Sequence, residues 1–410
     1  MLTDKNHIQT PATLLNLDAL ERNIKNYHQM NAGGIKKLWP MTKTHKSTEI
    51  ARMQLDHGAT GFLCGTLDEC EAIFENLVRG GRRDISIMYA YPVASEPNIS
   101  RVVKLAKACG SFRTRIDSHR QAELLSQAAA EAGTRINYTV IINSGLNRFG
   151  VTPGELGHLM GKIAGLKHLN FCGISTHPGH VYGETDITGV REIAQQESGT
   201  MKAAATALSN IGIIPQLITS GSTPTYPHVV NDAVINCLHP GNYVFMDNIQ
   251  IALGCATEED CALTVLTTII SAPRDGEFII DAGAKCLGLD KGAHGNSKIQ
   301  GHGRVKNQNA YVCADNKYAD MLTIHSLSEE VGKIVMPASC RGKTNLKIGD
   351  KLEIIPNHSC AAANNTSCYI AIRNGAADRL IDVDMRGNSS SKGIMTPQVG
   401  DKGGYHGFIL

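Results

Sequence analysis

The sequence has no apolar run approaching the roughly 18 to 20 residues that a membrane span requires, which excludes a helical membrane protein at the outset. It has no excess of charge of either sign: 40 Lys and Arg stand against 38 Asp and Glu, for a formal charge of +2. It has no basic block and no Lys/Arg stripe interleaved with aromatics, so nucleic acid is not an expected partner. Its 12 cysteines are scattered and include no CxxC pair. The opening stretch, Met1-Leu-Thr-Asp-Lys-Asn-His7, lacks both the apolar core of a secretory signal and the Arg/Ser-rich character of a transit peptide. The expected compartment is therefore the cytoplasm, with the cysteines reduced and mostly acting as small buried hydrophobes.

What is present is a soluble composition, 42% hydrophobic and 19% charged, in a chain of 410 residues. That length exceeds what one hydrophobic core usually serves, so one large and one smaller domain are expected. Short apolar runs alternate with segments of helical periodicity at Leu38–Thr42, Gly61–Cys64, Ile85–Tyr89, Phe112–Ile116, Ile136–Ile142, Phe171–Thr176, Gln216–Thr219 and Val234–Leu238. Between them lie helical stretches such as Ser47–Asp56, Leu67–Leu77, Asn98–Cys109 and Ser118–Ala132. Repeated β-α units make a parallel sheet, and eight of them make a closed barrel. After Leu253 the texture changes to β-rich runs without intervening helices: Leu263–Ile270, Glu277–Ile280, Tyr311–Val312, Met321–Ile324, Lys351–Ile355 and Tyr369–Ile372.

The expected fold class is thus α/β, a (β/α)8 TIM barrel followed by a smaller all-β domain. The expected division is an N-terminal segment joining the β domain over 1–14, the barrel over 15–255, the β domain over 256–385 and a Gly/Ser-rich tail over 386–410.

In such a barrel the chemistry sits where strands end. Lys43 ends the first strand in Trp39-Pro-Met-Thr-Lys-Thr-His-Lys46, where a lysine near other cations or in an apolar pocket becomes nucleophilic enough to form an imine. His45 and Lys46 could supply that environment. Taken alone, the run is also the composition of a solvated loop. Thr219-Ser-Gly-Ser-Thr-Pro-Thr225 follows the seventh strand and His239-Pro-Gly-Asn-Tyr-Val-Phe245 the eighth. Loops at these two places form the usual phosphate cradle of this barrel, and a cradle facing a strand-end lysine points first to pyridoxal 5′-phosphate.

His358 and Cys360 close the run Lys351-Leu-Glu-Ile-Ile-Pro356, and residues two apart in extended chain point to one side and can share an ion. Imidazole with thiolate suits zinc best, with manganese or magnesium as alternatives, and two protein ligands leave positions open for water and substrate. Asp281 and Glu329-Glu330 could line the site or hold the domains together.

Five stretches carry a family likeness: Pro40-Met-Thr-Lys43-Thr-His-Lys46, Thr176-His-Pro-Gly-His-Val-Tyr182, Ser220-Gly-Ser-Thr-Pro-Thr225, His239-Pro-Gly-Asn-Tyr-Val-Phe245 and Pro356-Asn-His-Ser-Cys360. In them the chain resembles the fold-type III pyridoxal-phosphate enzymes, which are alanine-racemase-like, and among these the D-serine dehydratase and D-threonine aldolase family. The likeness runs over roughly residues 10 to 380, and Met41 departs from the family's usual His. The resemblance implies that Lys43 carries the cofactor as an imine and that Gly221, Ser222, Thr223, Gly241 and Asn242 lie near its phosphate. It also implies that His177 lies against the pyridine ring with Tyr182 close by. Asn147-Arg148-Phe-Gly is similar to the alanine-racemase motif whose arginine approaches the phenolic oxygen, and His239 stands where that enzyme has an arginine facing the ring nitrogen. An arginine cannot protonate that nitrogen, whereas a neutral histidine leaves the ring a better electron sink, which elimination needs more than racemisation does. The residues alone also allow His177 a core role, Arg148 a surface ion pair and Tyr182 wall packing.

The implied activity is that of a metal-assisted lyase for D-3-hydroxy amino acids, with D-serine-type dehydration first and retro-aldol cleavage of D-threonine-like substrates second. Racemisation needs a second base on the opposite face, and none is identifiable. A non-catalytic cofactor carrier would not need the β domain or the metal pair. A homodimer is the state the resemblance implies.

Overall fold

The computed structural model describes residues 3–31, 36–82, 84–292, 295–307, 311, 322–336, 341–342 and 344–387. The apolar runs form eight parallel barrel strands, at Lys37–Leu38, Gly61–Cys64, Ser86–Tyr89, Phe112–Ile116, Ile136–Ile141, Leu169–Ser175, Leu217–Ser220 and Cys237–Leu238. The eighth pairs with both the first and the seventh. The ring closes between the first and second, where Thr60 N donates to Leu38 O at 3.0 Å, Leu63 N to Pro40 O at 3.0 Å, and Met41 bridges Leu63.

The first strand is shorter than expected. Pro40 has no N–H for the ladder, and Thr42–Thr44 turns into a single 3-10 turn, so Lys43 sits just beyond the strand rather than at its last residue.

The helices follow from caps and stripes. His119–Glu131 starts at Ser118, whose hydroxyl accepts from Gln121 N, and it buries Ala122, Leu125, Ser126 and Ala129, spaced three and four apart, against the strands. Leu125→Ala there would cost about 2–5 kcal/mol. The segment expected as Leu67–Leu77 is α-helical over Leu67–Ile73 and continues as a π-helical turn, Phe74–Val78.

The second body is a mostly antiparallel sheet of ten strands. Its spine is Leu263–Arg274, which pairs with Ala12–Asn16, Glu277–Ile280 and Lys351–Ile355. Residues near the start of the chain belong to this sheet: Ala12–Asn16 also lies parallel to Cys368–Arg373, and Thr3–Asp4 pairs with Ala376–Asp382. This body is not free of helices as expected, since short ones form at Ala284–Leu287 and Ser359–Asn364. The strand expected at Met321–Ile324 runs instead over Ile324–Leu327. Val312, Met321 and the tail from 388 onward lie outside the described residues.

The sheet body leans on the barrel mouth. Tyr369 Oη donates to His45 O at 2.7 Å, Met385 N to Lys46 O at 3.0 Å and Asn248 N to Pro356 O at 3.2 Å. No helix among the described residues is long and apolar enough to cross a membrane.

Candidate active site

Glu69 builds the turn that presents Lys43. Its fully buried carboxylate accepts from Thr42 Oγ1 at 2.6 Å, Gly65 N at 2.7 Å and Lys46 Nζ at 2.9 Å. Gly65 is glycine because a Cβ there would sit 2.8 Å from the Cβ of Lys43. The neighbours expected to surround Lys43 with positive charge do not do so. Lys46 is neutralised by Glu69, and burial lowers the His45 pKa to about 3, leaving that ring uncharged. The positive groups that share the Lys43 pocket are instead Arg148 and Arg115, whose fields, with that of Lys43, reach His177.

The loops after strands seven and eight stack on one another. A Cβ on Gly221 would lie 2.6 Å from His239 N, so only glycine lets them meet. Ser222 and Thr225 share a hydroxyl hydrogen bond of 2.9 Å, and Thr223 Oγ1 accepts from Tyr243 N at 3.0 Å. Below them Ser220 Oγ donates to Glu197 on the helix Ile187–Ser209. Burial pushes the Glu197 carboxyl up to about 8, so it is mostly protonated at neutral pH.

Two histidines face the cavity as acceptors. His177 Nδ1 lies 2.8 Å from Gly221 O, and His239 Nδ1 lies 2.9 Å from Trp39 O. Burial, joined by Lys43 for His177 and by Arg115 for His239, lowers each pKa to about 3. A neutral ring whose Nδ1–H is given to a carbonyl turns a bare Nε2 outward. Burial likewise raises the Tyr182 hydroxyl pKa, and Cys360 adds to the effect. Arg148 stacks over Phe149 at 5.1 Å and Tyr91 at 5.8 Å.

The two residues expected to share a metal sit differently from expectation. His358 is extended but immediately precedes the helix Ser359–Asn364, and Cys360 lies in its first turn, so the two do not alternate along a strand. They nevertheless meet. Burial, the largest single influence, lowers the His358 pKa and raises that of Cys360, but Cys360 with Asp290 and Asp247 together leave His358 well above its ordinary value, and His358 with Lys43 and Thr44 together leave Cys360 below its own. The Cys360 thiol also reaches Thr44 Oγ1 at 3.4 Å. Among the described residues no set of three His, Cys, Asp or Glu side chains is grouped to hold a metal, so the pair would leave most positions of an ion open.

Every residue given a cofactor or metal role from the sequence borders one cavity except Thr223, whose hydroxyl is turned to Tyr243. Sequence reasoning missed three members. Arg115, on the fourth strand, is 4% exposed, with Nε 3.4 Å from Met88 Sδ and one Nη without a partner among the described residues. An arginine inside the buried run Phe-Arg-Thr-Arg-Ile was the signal for it. Asp247 accepts from Asn242 Nδ2 at 2.7 Å and Ser359 N at 2.9 Å, and Asp290 meets His358 Nδ1 at 2.6 Å. The local sequence marks Asp247 only as a helix N-cap, accepting from Gln250 N, and does not mark Asp290. Asp281 and Glu330 are not part of the site: Asp281 accepts from Thr10 and Thr267 within the sheet body, and Glu330 pairs with Lys285 on the surface.

A (β/α)8 barrel with a lysine beside its first strand and a β body bringing His and Cys to its mouth defines an alanine-racemase-like protein. The chain belongs to the alanine racemase N-terminal domain family, whose model matches residues 15–249, and a serine dehydratase domain model matches residues 262–372. It is 28% identical over 394 residues to 3-hydroxy-D-aspartate aldolase of Paracoccus denitrificans, covering 94% of both chains. It is 29% identical to D-serine dehydratase of Dictyostelium discoideum, covering 90% of this chain and 95% of that one. Among solved structures, D-threo-3-hydroxyaspartate dehydratase from Delftia sp. superposes with a TM-score of 0.81 at 25% identity, over 93% of this chain and 98% of that one. A cysteine-to-alanine variant of that dehydratase, solved in a metal-free form, superposes equally well at a TM-score of 0.81 and 25% identity, over 92% of this chain and 98% of its own.

Proposed function

We propose that this chain is a lyase dependent on pyridoxal 5′-phosphate and a divalent metal, with zinc the first choice, that dehydrates D-3-hydroxy amino acids of the D-serine type to a 2-oxo acid and ammonia. The observation that carries the reading is the meeting of Lys43 with His358 and Cys360 in one cavity. The cavity fits the cofactor. Buried polar atoms on its wall, an Nη of Arg115, His239 Nε2 and Asn242 Oδ1, have no partner among the described residues and call for a polar ligand. Ser222, Gly221 and Gly241 provide hydroxyl and backbone donors on the anion side. Imidazole with a thiol of lowered pKa fits a zinc-type ion.

When bound, pyridoxal phosphate supplies an electron sink for the pair left on Cα, and a divalent ion supplies Lewis acidity to the departing hydroxyl. Lys43 would hold the cofactor, and its Nζ, when free of it, would be the base for the Cα proton. Arg115 and Arg148 offer guanidinium donors to the substrate carboxylate. His239 Nε2, kept as an acceptor by Trp39 O, holds no proton to give away. Tyr182 and Asn242 also line the cavity.

The retro-aldol reading stands beside it as the alternative, since the matched relatives include an aldolase as well as dehydratases. The test is to incubate purified protein with D-serine, D-threonine and D-3-hydroxyaspartate, with and without chelator, and to identify products. A keto acid with ammonia means elimination, and glycine with an aldehyde means aldol cleavage. Loss of several kcal/mol of Lewis-acid stabilisation predicts that chelation slows turnover by about two orders of magnitude or more. Turnover of none of the three, or indifference to chelator, would sink the reading. Lys43→Ala should abolish the protein's visible absorption band. The same reading takes the chain as a homodimer, implied by the family likeness and checked by sedimentation equilibrium.

A further inference from the structure

Asp290 lies in the loop that follows the helix Ala284–Leu287, and its Oδ2 is 2.6 Å from His358 Nδ1, across 68 residues of sequence. The loop is held at that spot. Asn357, the residue before His358, donates through Nδ2 to Gly301 O at 3.0 Å and to Asp290 O at 3.3 Å. The aspartate's other oxygen, Oδ1, is buried without a partner among the described residues. A cleft bordered by Asp290, His358 and Cys360 opens on this side and reaches Lys43.

We infer that Asp290 is a positioning residue: its carboxylate holds the Nδ1–H of His358, so that Nε2 is the nitrogen offered to a divalent ion shared with Cys360. The inference rests on the metal half of the proposed function. A neutral imidazole has one N–H, and giving it to a carboxylate fixes both tautomer and ring rotation while making the other nitrogen a stronger donor to a cation. An approach of 2.6 Å leaves no room for an ion between Nδ1 and Oδ2, so the contact is a hydrogen bond rather than shared coordination.

Zinc affinity, measured by competition with a chromophoric chelator on protein carrying its cofactor, tests this together with the visible spectrum of the cobalt-substituted form. Asp290→Ala should weaken zinc binding by about 10- to 100-fold and shift the cobalt d–d bands while the thiolate charge-transfer band persists. Asp290→Asn, whose amide oxygen still accepts from Nδ1–H, should recover most of the affinity. If Asn binds zinc as poorly as Ala, orientation is not what Asp290 supplies and the inference is overturned. If Asp290→Ala binds like the unaltered protein while His358→Ala has lost zinc, the inference alone fails. If His358→Ala also binds normally, the metal reading fails and takes the inference with it.

Discussion

Asn242 Nδ2 donates to Ser359 Oγ at 2.8 Å, tying the loop after the eighth barrel strand to the short helix that carries Cys360. The same nitrogen reaches the Asp247 carboxylate, which also takes Ser359 N. The loop proposed to hold the phosphate and the pair proposed to hold the metal are therefore one hydrogen-bonded unit. Asn242→Ala is expected to weaken pyridoxal phosphate and zinc binding together, each by about 10-fold for the loss of a buried hydrogen bond worth 1–2 kcal/mol. Fluorescence titration of each ligand separates the outcomes, and a change in only one affinity would show the two halves to be independent.

Glu69 holds the Lys43 turn through three hydrogen bonds in a fully buried setting. Glu69→Gln keeps a carbonyl for Thr42 or Gly65 but leaves Lys46 a buried, uncompensated cation. Breaking such a pair from one side costs about 3–5 kcal/mol. Urea unfolding should show that loss, and the double variant Lys46→Met with Glu69→Gln should recover most of it. An unchanged midpoint in the single variant would mean the turn is held by other contacts.

Arg115 keeps a guanidinium under cover with one Nη free, and burial lowers its pKa to about 10, still charged at neutral pH. Arg115→Met removes an unpaired buried charge at similar volume, so the cofactor-free protein should gain about 0.5–2 kcal/mol. The same change should raise KM for the D-amino acid by about 10- to 100-fold, the worth of a charge-assisted hydrogen bond of 1.5–3 kcal/mol. Thermal melts and steady-state kinetics read the two effects. A variant neither stabilised nor weakened in KM would place the partner of Arg115 elsewhere.

The strands most visible in the sequence were those whose residues are wholly apolar and bounded by turn residues, such as Gly61–Cys64, where all four positions are buried. Lys43 and the two loops were legible because residue type and place along the chain coincide in a βα barrel. The first strand was overdrawn because Pro40 interrupts its ladder within an otherwise extended pattern. The helix at Ser359–Asn364 was missed although Ser-Cys-Ala-Ala-Ala is a helix-forming run, since the β-rich flanks dominated the reading. Asp247 could be read locally only as the N-cap of the helix Asn248–Ala252, accepting from Gln250 N; its link to Ser359, 112 residues away, and that of Asp290 to His358, 68 residues away, exist only in the closed fold.

Glu197 makes the most direct test of the anion side. Its folded pKa of about 8 lies above the ordinary value of 4.5, with burial the cause, the Thr225 hydroxyl opposing it and Asp232 adding to it. Between those two pH values the native protein keeps a proton that the unfolded chain has released. Unfolding free energy must therefore fall as pH rises through that window, by up to about 1.4 kcal/mol per pH unit, and level off above about pH 8. Glu197→Gln has no proton to lose. Its stability relative to the unaltered protein should climb by roughly a few kcal/mol between pH 5 and pH 8 and then stay constant, as measured by urea unfolding across that range. Because Ser220 joins Glu197 to the loop beneath the expected phosphate, ionisation would also put a negative charge under an anion. Cofactor affinity of the unaltered protein should thus decline above pH 8 faster than that of Glu197→Gln. A stability difference that does not vary with pH would mean that this carboxyl is ionised in the folded protein throughout.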